Sequence, residues 1–213
     1  MTALTVAAWV KSAAAASNQG IVGKGTPLAG GWIFLVNDTT SYDLRLAKGR
    51  GTTNLNAVSP TNAVVAGQLS CLAGQFDTAG AASAQKLFTG TLDRPITEIS
   101  SYATQTAGSG TVGNDSAQSL VLAARHSADS VAFNGQIYAV GLWNTVLTLD
   151  QLRAWQNDFY APLPRCVGLW RPGANGTGLV WDESGFNSHG TITGAIPTND
   201  YLPRVFQRNR LIA

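Results

Sequence analysis

Short apolar runs recur along the chain, many alternating with polar residues and separated by glycine, proline, Asn and Asp. Leu4–Lys11 reads as a strand, as do Gln19–Gly23, Trp32–Val36 and Tyr42–Leu46. In the last, Tyr42, Leu44 and Leu46 alternate with Asp43 and Arg45, the period of a half-buried strand. The same reading marks Ala63–Ala66, Ser70–Phe76, Lys86–Thr89, Thr97–Tyr102, Ser119–Ala124 and Gln136–Trp143. About ten short strands with regular turn signals predict an all-β fold, an antiparallel sandwich. One helix is expected over 148–157. Thr148-Leu149-Asp150-Gln151 spells a capping box, and Leu149, Leu152 and Trp155 recur every third residue.

Composition sharpens this picture. The chain has 213 residues, of which 45% are hydrophobic and 12% charged; the charged share is about half the usual ~25%. Long surface helices are built from Glu, Lys and Arg, so an all-helical fold is disfavoured. High apolar content and a net charge of only +2 argue against disorder. The basic residues are scattered, which excludes a broad nucleic-acid face. No apolar run reaches the ~18 residues of a membrane span. No punctuation divides the chain, so one sandwich is expected over 1–200, with a basic C-terminal arm at 201–213. Arg204, Arg208 and Arg210 on that arm are candidate partner-docking residues.

The opening residues Met1 to Trp9 lack a basic region and a cleavable apolar stretch, so synthesis in a host cytoplasm without a signal peptide is expected. Cys71 and Cys166 each sit among apolar neighbours and read as free buried thiols.

Candidate chemistry is sparse. Glu98 and Glu183 are the only glutamates. Asp182 and Glu183 are adjacent, so on a strand they face opposite sides. Gly108–Gly113 matches Gly-x-Gly-x-x-Gly, but no helical pattern follows and a flexible loop is the expected reading. His126 and His189 are the only histidines and lack partners at zinc-ligand spacing. Trp9, Trp32 and Trp143 fall inside apolar strands and read as core, and Trp155 lies on the helix stripe. Trp170 and Trp181 bracket the Gly/Asn-rich loop 172–178 and are the expected exposed rings. With Asp182 and Asn187 they form the candidate ligand-binding set. No catalytic residue is assigned.

Several segments carry a family resemblance. Leu4–Lys11 resembles the opening strand of laminin-G-like jelly rolls in the concanavalin A-like lectin/glucanase superfamily. Ile21–Lys24, Gly31–Leu35 and Tyr42–Leu46 resemble its next strands. Leu72–Asp77, Lys86–Gly90 and the run from Phe133 to Thr148 resemble later ones. The match covers roughly residues 3–158. Val167–Trp170 with Asp182–Thr191 resembles a segment that precedes the opening strand in that family, whereas here it comes last. Residues 161–200 then either close this chain's own sandwich by circular permutation, which is the preferred reading, or complete a neighbouring subunit's sheet.

The resemblance implies a jelly-roll module. Glucanases of the superfamily resemble one another in carrying Glu-x-Asp-x-x-Glu on one strand, and this chain has no such motif. Where the family carries an acidic pair, this chain has Tyr138 and Ala139. That weakens an inherited calcium site and leaves Asp182 a weak candidate for one ion; an Asx-type turn around Ser184 and Gly185 is preferred. No cofactor is expected. The function expected is a non-enzymatic structural or binding module on a bacteriophage virion, either a capsid decoration protein or a fibre module. Its partners would be the major capsid protein or other virion subunits, and it would form a homo-oligomer, a trimer at a quasi-threefold point. The alternative is a lectin-like domain binding a surface glycan. Neither a nucleic acid nor a membrane is expected as a partner.

Overall fold

A computed structural model describes residues 2–13, 19–37, 42–81, 84–127, 132–161, 163–172 and 178–196. The strands in chain order are β1 (Ala3–Ser12), β2 (Gln19–Lys24), β3 (Trp32–Asn37), β4 (Asp43–Lys48), β5 (Leu55–Val58), β6 (Leu69–Asp77) and β7 (Lys86–Thr91). They continue as β8 (Thr97–Glu98), β9 (Thr104–Thr106), β10 (Leu120–Leu122) and β11 (Gly135–Trp143). Helix α1 (Leu149–Asn157) precedes β12 (Cys166–Trp170), β13 (Leu179–Val180) and β14 (Gly190–Thr191).

Two six-stranded antiparallel sheets face each other, ordered β12-β11-β1-β6-β7-β8 and β10-β2-β3-β4-β5-β9; β13 and β14 pair separately. This is the predicted jelly-roll sandwich. Leu4, Val6, Ala8 and Val10 of β1 meet Trp32, Phe34 and Val36 of β3 and Leu44 and Leu46 of β4 in the core between the sheets. The other face of β1 is also buried. Ala7 and Trp9 join Ala139, Trp143, Leu152 and Trp155 in a second apolar cluster under α1. A strand covered on both faces reads as a continuous apolar run, which is why Leu4–Val10 shows almost no alternation.

The helix forms as expected. The Thr148 hydroxyl accepts from Gln151 N–H, and the Gln151 side chain accepts from Thr148 N–H. Trp155 meets Trp143 edge to face, with ring centroids 5.8 Å apart. Cys71 is buried and Cys166 half-buried, and both are free. Burial pushes both thiols above the usual cysteine range. No helix among the described residues is long and apolar enough to cross a membrane.

Ala63–Ala66 is not a strand. Left-handed Asn62 (φ 62°) and Gly67 (φ 74°) bracket it, so turns consume a run too short to pair. Thr97–Tyr102 contributes only Thr97 and Glu98 to the ladder with β7. The strands β5, β9, β12, β13 and β14 are additional to those read from the sequence.

The segment that comes late in the chain settles beside β11. Strand β12 pairs antiparallel with β11 of the same chain. On its outer edge Leu169 is met by the following loop: its N–H donates to the Asp182 carboxylate, and Glu183 N–H donates to Leu169 O.

Gly-Leu-Trp occurs on both strands, as Gly141-Leu142-Trp143 and Gly168-Leu169-Trp170. In each, the tryptophan ring lies over the glycine two residues earlier. A Cβ at Gly168 would stand 1.9 Å from the Trp170 ring. The Gly168→Ala variant is therefore expected to lose about 1–3 kcal/mol of stability by overpacking, as read by urea denaturation.

Candidate functional site

The segment after α1 builds one end of the molecule. Along 179–181 the strand period places Leu179 and Trp181 outward and Val180 inward; Trp181 is 45% exposed and Val180 8%. Trp170 departs from expectation. It is 4% exposed and belongs to the core between the sheets, because Gly168 leaves room for its ring. Its indole N–H donates to Ser188 O at 3.0 Å.

Asp182 is also buried, and its carboxylate acts as a staple. Oδ1 accepts from Leu169 N–H (3.0 Å) and Ser184 N–H (2.9 Å), and Oδ2 accepts from Ser188 N–H (2.9 Å). The contact with Ser184 is the expected Asx-type turn. Burial raises this carboxyl's pKa, but hydrogen bonds from Ser184, Leu169 and Ser188 outweigh it and hold the group below the usual carboxylate range. Both oxygens face N–H donors, a donor set that repels a cation, so these residues do not fit calcium. No group of three or more His, Cys, Asp or Glu able to hold a metal stands among the described residues. Asn187 is exposed on the same loop in a left-handed conformation (φ 57°). Arg204, Arg208 and Arg210 lie outside the described residues.

Sequence reading missed the polar frame of this end. Glu183 turns away from Asp182's partners and takes the Arg171 guanidinium, with Nε at 3.0 Å and Nη2 at 2.8 Å from Oε1. The Arg171 guanidinium lies 5.0 Å from the centroid of the Tyr160 ring, a cation–π distance. Burial, together with the hydrogen bond and charge of Glu183, pushes the Tyr160 hydroxyl up to about 12. Beside them, the His189 ring meets Trp181 edge to face at 4.6 Å, and His189 Nδ1 accepts from Asp182 N–H at 3.0 Å. Tyr160 and Phe186 are 51% and 64% exposed. The available signal was the alternation Trp170-Arg171 against Asp182-Glu183, which sends one member of each pair inward and the other outward.

Both glutamates have the same kind of company. Glu98 accepts from Lys86 Nζ at 2.7 Å and from Tyr102 Oη at 3.2 Å, as Glu183 pairs with Arg171 and Tyr160. Retaining glycoside hydrolysis needs two carboxyls about 5–5.5 Å apart; these two are each engaged by a base and a tyrosine. Gly108–Gly113 is a loop laid against residues 49–53, and the next described element is the strand β10.

No curated protein matches the chain in sequence. Among solved structures, a protein proposed to bind carbohydrate from Bacteroides ovatus ATCC 8483 superposes with TM-score 0.58 at 16% identity, covering 89% of this chain and 51% of that one. This chain thus spans about half the length of that relative. Tailspike protein 2 of the Escherichia coli O157:H7 bacteriophage CAB120 superposes with TM-score 0.52 at 12% identity, covering 76% of this chain and 22% of that one. A heptameric SAP-like pentraxin from Limulus polyphemus gives TM-score 0.47 at 13% identity, over 72% of this chain and 69% of that one. The family described as the concanavalin A-like lectin/glucanases superfamily matches residues 1–153. With that match over most of the chain and two facing antiparallel sheets, the chain belongs to the concanavalin A-like lectin/glucanases superfamily.

Proposed function

We propose that this chain is a non-enzymatic binding module of a bacteriophage virion surface, a decoration or fibre part, that meets its partner through the aromatic end. The observation that carries this is the exposure of Trp181 and Phe186 on a segment whose backbone is pinned by Asp182, with exposed Tyr160 held against Arg171 beside it. Rigidly held, half-exposed aromatic rings bind at low entropic cost and are the side chains that dominate contact surfaces. The pairing of both glutamates with basic residues supports binding over hydrolysis. Likeness to part of a tailspike supports the virion setting at the level of fold.

On this reading the partner is a capsid protein or another virion subunit, the module is a homo-oligomer, and Arg204, Arg208 and Arg210 add a basic docking arm. Purified particles should carry the protein at stoichiometric copy number. The Trp181→Ala variant should fold normally but rebind stripped particles about tenfold more weakly or worse, the loss usual for an aromatic hot spot. Undiminished rebinding would overturn this face as the contact.

A second reading, a glycan-binding lectin-like domain, is favoured by Trp181 standing beside His189 and the fixed Asn187 loop. Specific signals on a glycan array that vanish for Trp181→Ala would support it. Asp182→Ala is unsuitable for this test because Asp182 holds the backbone.

A further inference from the structure

A recess lies between α1 and the turn Leu92–Pro95 that joins β7 to β8. Its volume is about 430 Å³, within the roughly 300–1,000 Å³ of small-ligand sites. Arg153 and Asn157 line it from the helix, and Arg94 lines it from the turn, with Leu92 and Pro95 as apolar walls. Asp93 also lines it as the opposing charge.

The two arginines sit on parts that are locked together. Gln156 is buried; its amide N–H groups donate to Thr91 O and Arg94 O at 2.8 and 2.9 Å, and its Oε1 accepts from Ile96 N–H at 2.7 Å. That fixes the turn carrying Arg94 to the helix carrying Arg153, the preorganisation that binding sites need. The Arg153 guanidinium is poorly answered within the chain. Its acid contact is to Asp150 at 3.4 Å, whose side chain is 92% exposed. Its Nε is buried without a hydrogen-bond partner among the described residues. The rest of the Arg153 side chain is 41% exposed, and an anion in the recess would give its guanidinium the close charged partner that the 3.4 Å contact to Asp150 does not supply.

We propose that this recess binds the carboxylate of an acidic saccharide unit, with Arg153 and Arg94 gripping the anion, Asn157 meeting a hydroxyl and Pro95 facing the sugar ring. The proposal rests on the second reading above, that of a glycan-binding domain. Guanidinium forks match carboxylates bidentately, and the apolar walls suit the C–H face of a sugar.

The test is a titration of the isotope-labelled full chain with D-glucuronic acid and N-acetylneuraminic acid, against D-glucose and acetate, followed by backbone amide shifts. The expected result is saturable movement at 92–95 and 153–157 for an acidic sugar but not for glucose. Arg153→Gln and Arg94→Gln should each weaken it about tenfold or more. Equal affinity for acetate would overturn the saccharide assignment. No movement with either acid would overturn the site, and binding of glucose at the aromatic end in the same series would show that the broader saccharide reading survives that failure.

Discussion

Replacing Asp182 by alanine is expected to lower unfolding stability by about 2–4 kcal/mol, since the buried Leu169 N–H left without an acceptor costs roughly 1–3 kcal/mol and the two part-buried serine N–H groups, which water can reach, cost less. Three backbone N–H groups, from Leu169, Ser184 and Ser188, lose their acceptor together. The damage should be directional. Leu169 lies on the free side of β12, so amide exchange should rise first at 166–170 and 178–191. The acid limb follows from the same bonds. The folded-state pKa of Asp182 lies below its unfolded value, which is near 3.9. Its contribution is therefore whole above about pH 4 and is lost as pH falls through the folded value. Wild type and Asp182→Asn should converge in stability below that point. A difference under about 1 kcal/mol at neutral pH, the worth of one ordinary hydrogen bond, would show that the staple is dispensable.

The second large effect is expected at Lys48. Its side chain is fully buried, and Nζ donates to Gly30 O at 2.7 Å, Gly113 O at 2.9 Å and Asp115 Oδ2 at 3.0 Å. One ammonium thus ties the turn at 26–31 and the loop at 108–115 to β4. Asp115 has a second base, Lys24, at 3.9 Å. Lys48→Met keeps the length of the side chain but strands two carbonyls and a buried carboxylate, so a loss of about 3–5 kcal/mol is expected. Adding Asp115→Asn should recover part of it, because the uncompensated charge is removed. Urea unfolding of the four proteins in this cycle measures the coupling, and simple additivity would mean that the pair does not act as a unit.

Lys48 also shows where sequence reading stops. In the run Tyr42–Leu46 the alternation predicted a half-buried strand, and β4 is there. Its last residue is a lysine with no exposed surface, which no period announces, because its acceptors are main-chain carbonyls 18 and 65 residues away. The capping box at Thr148 was legible because both partners lie within one turn. The burial of Trp9, Trp32 and Trp143 was legible because each sits in an apolar run that can only be a covered strand.

At the aromatic end the two kinds of information divide residue by residue. Trp170 and Trp181 look alike in sequence, each flanking the same loop. Only packing separates them: Gly168 opens a slot for one ring in the core, while the outward phase of 179–181 leaves the other in solvent. Asp182 reads in sequence as an Asx-turn residue, or more weakly as an ion ligand; the convergence of three N–H groups on it depends on the fold, because Leu169 lies on β12. Tyr160, Arg171 and Glu183 lie 11 and 12 residues apart and carry no motif. Their contact exists because β12 docks beside β11 and brings Arg171 to the loop.

The sequence by itself determined the sandwich, its main strands, the helix and the lack of a paired-carboxylate motif, since these follow from short-range periodicity and residue type. The tertiary structure alone decided that the late segment pairs with β11, which rings face solvent, and which charges are staples, since burial and hydrogen-bond partnership depend on contacts between residues far apart in the chain.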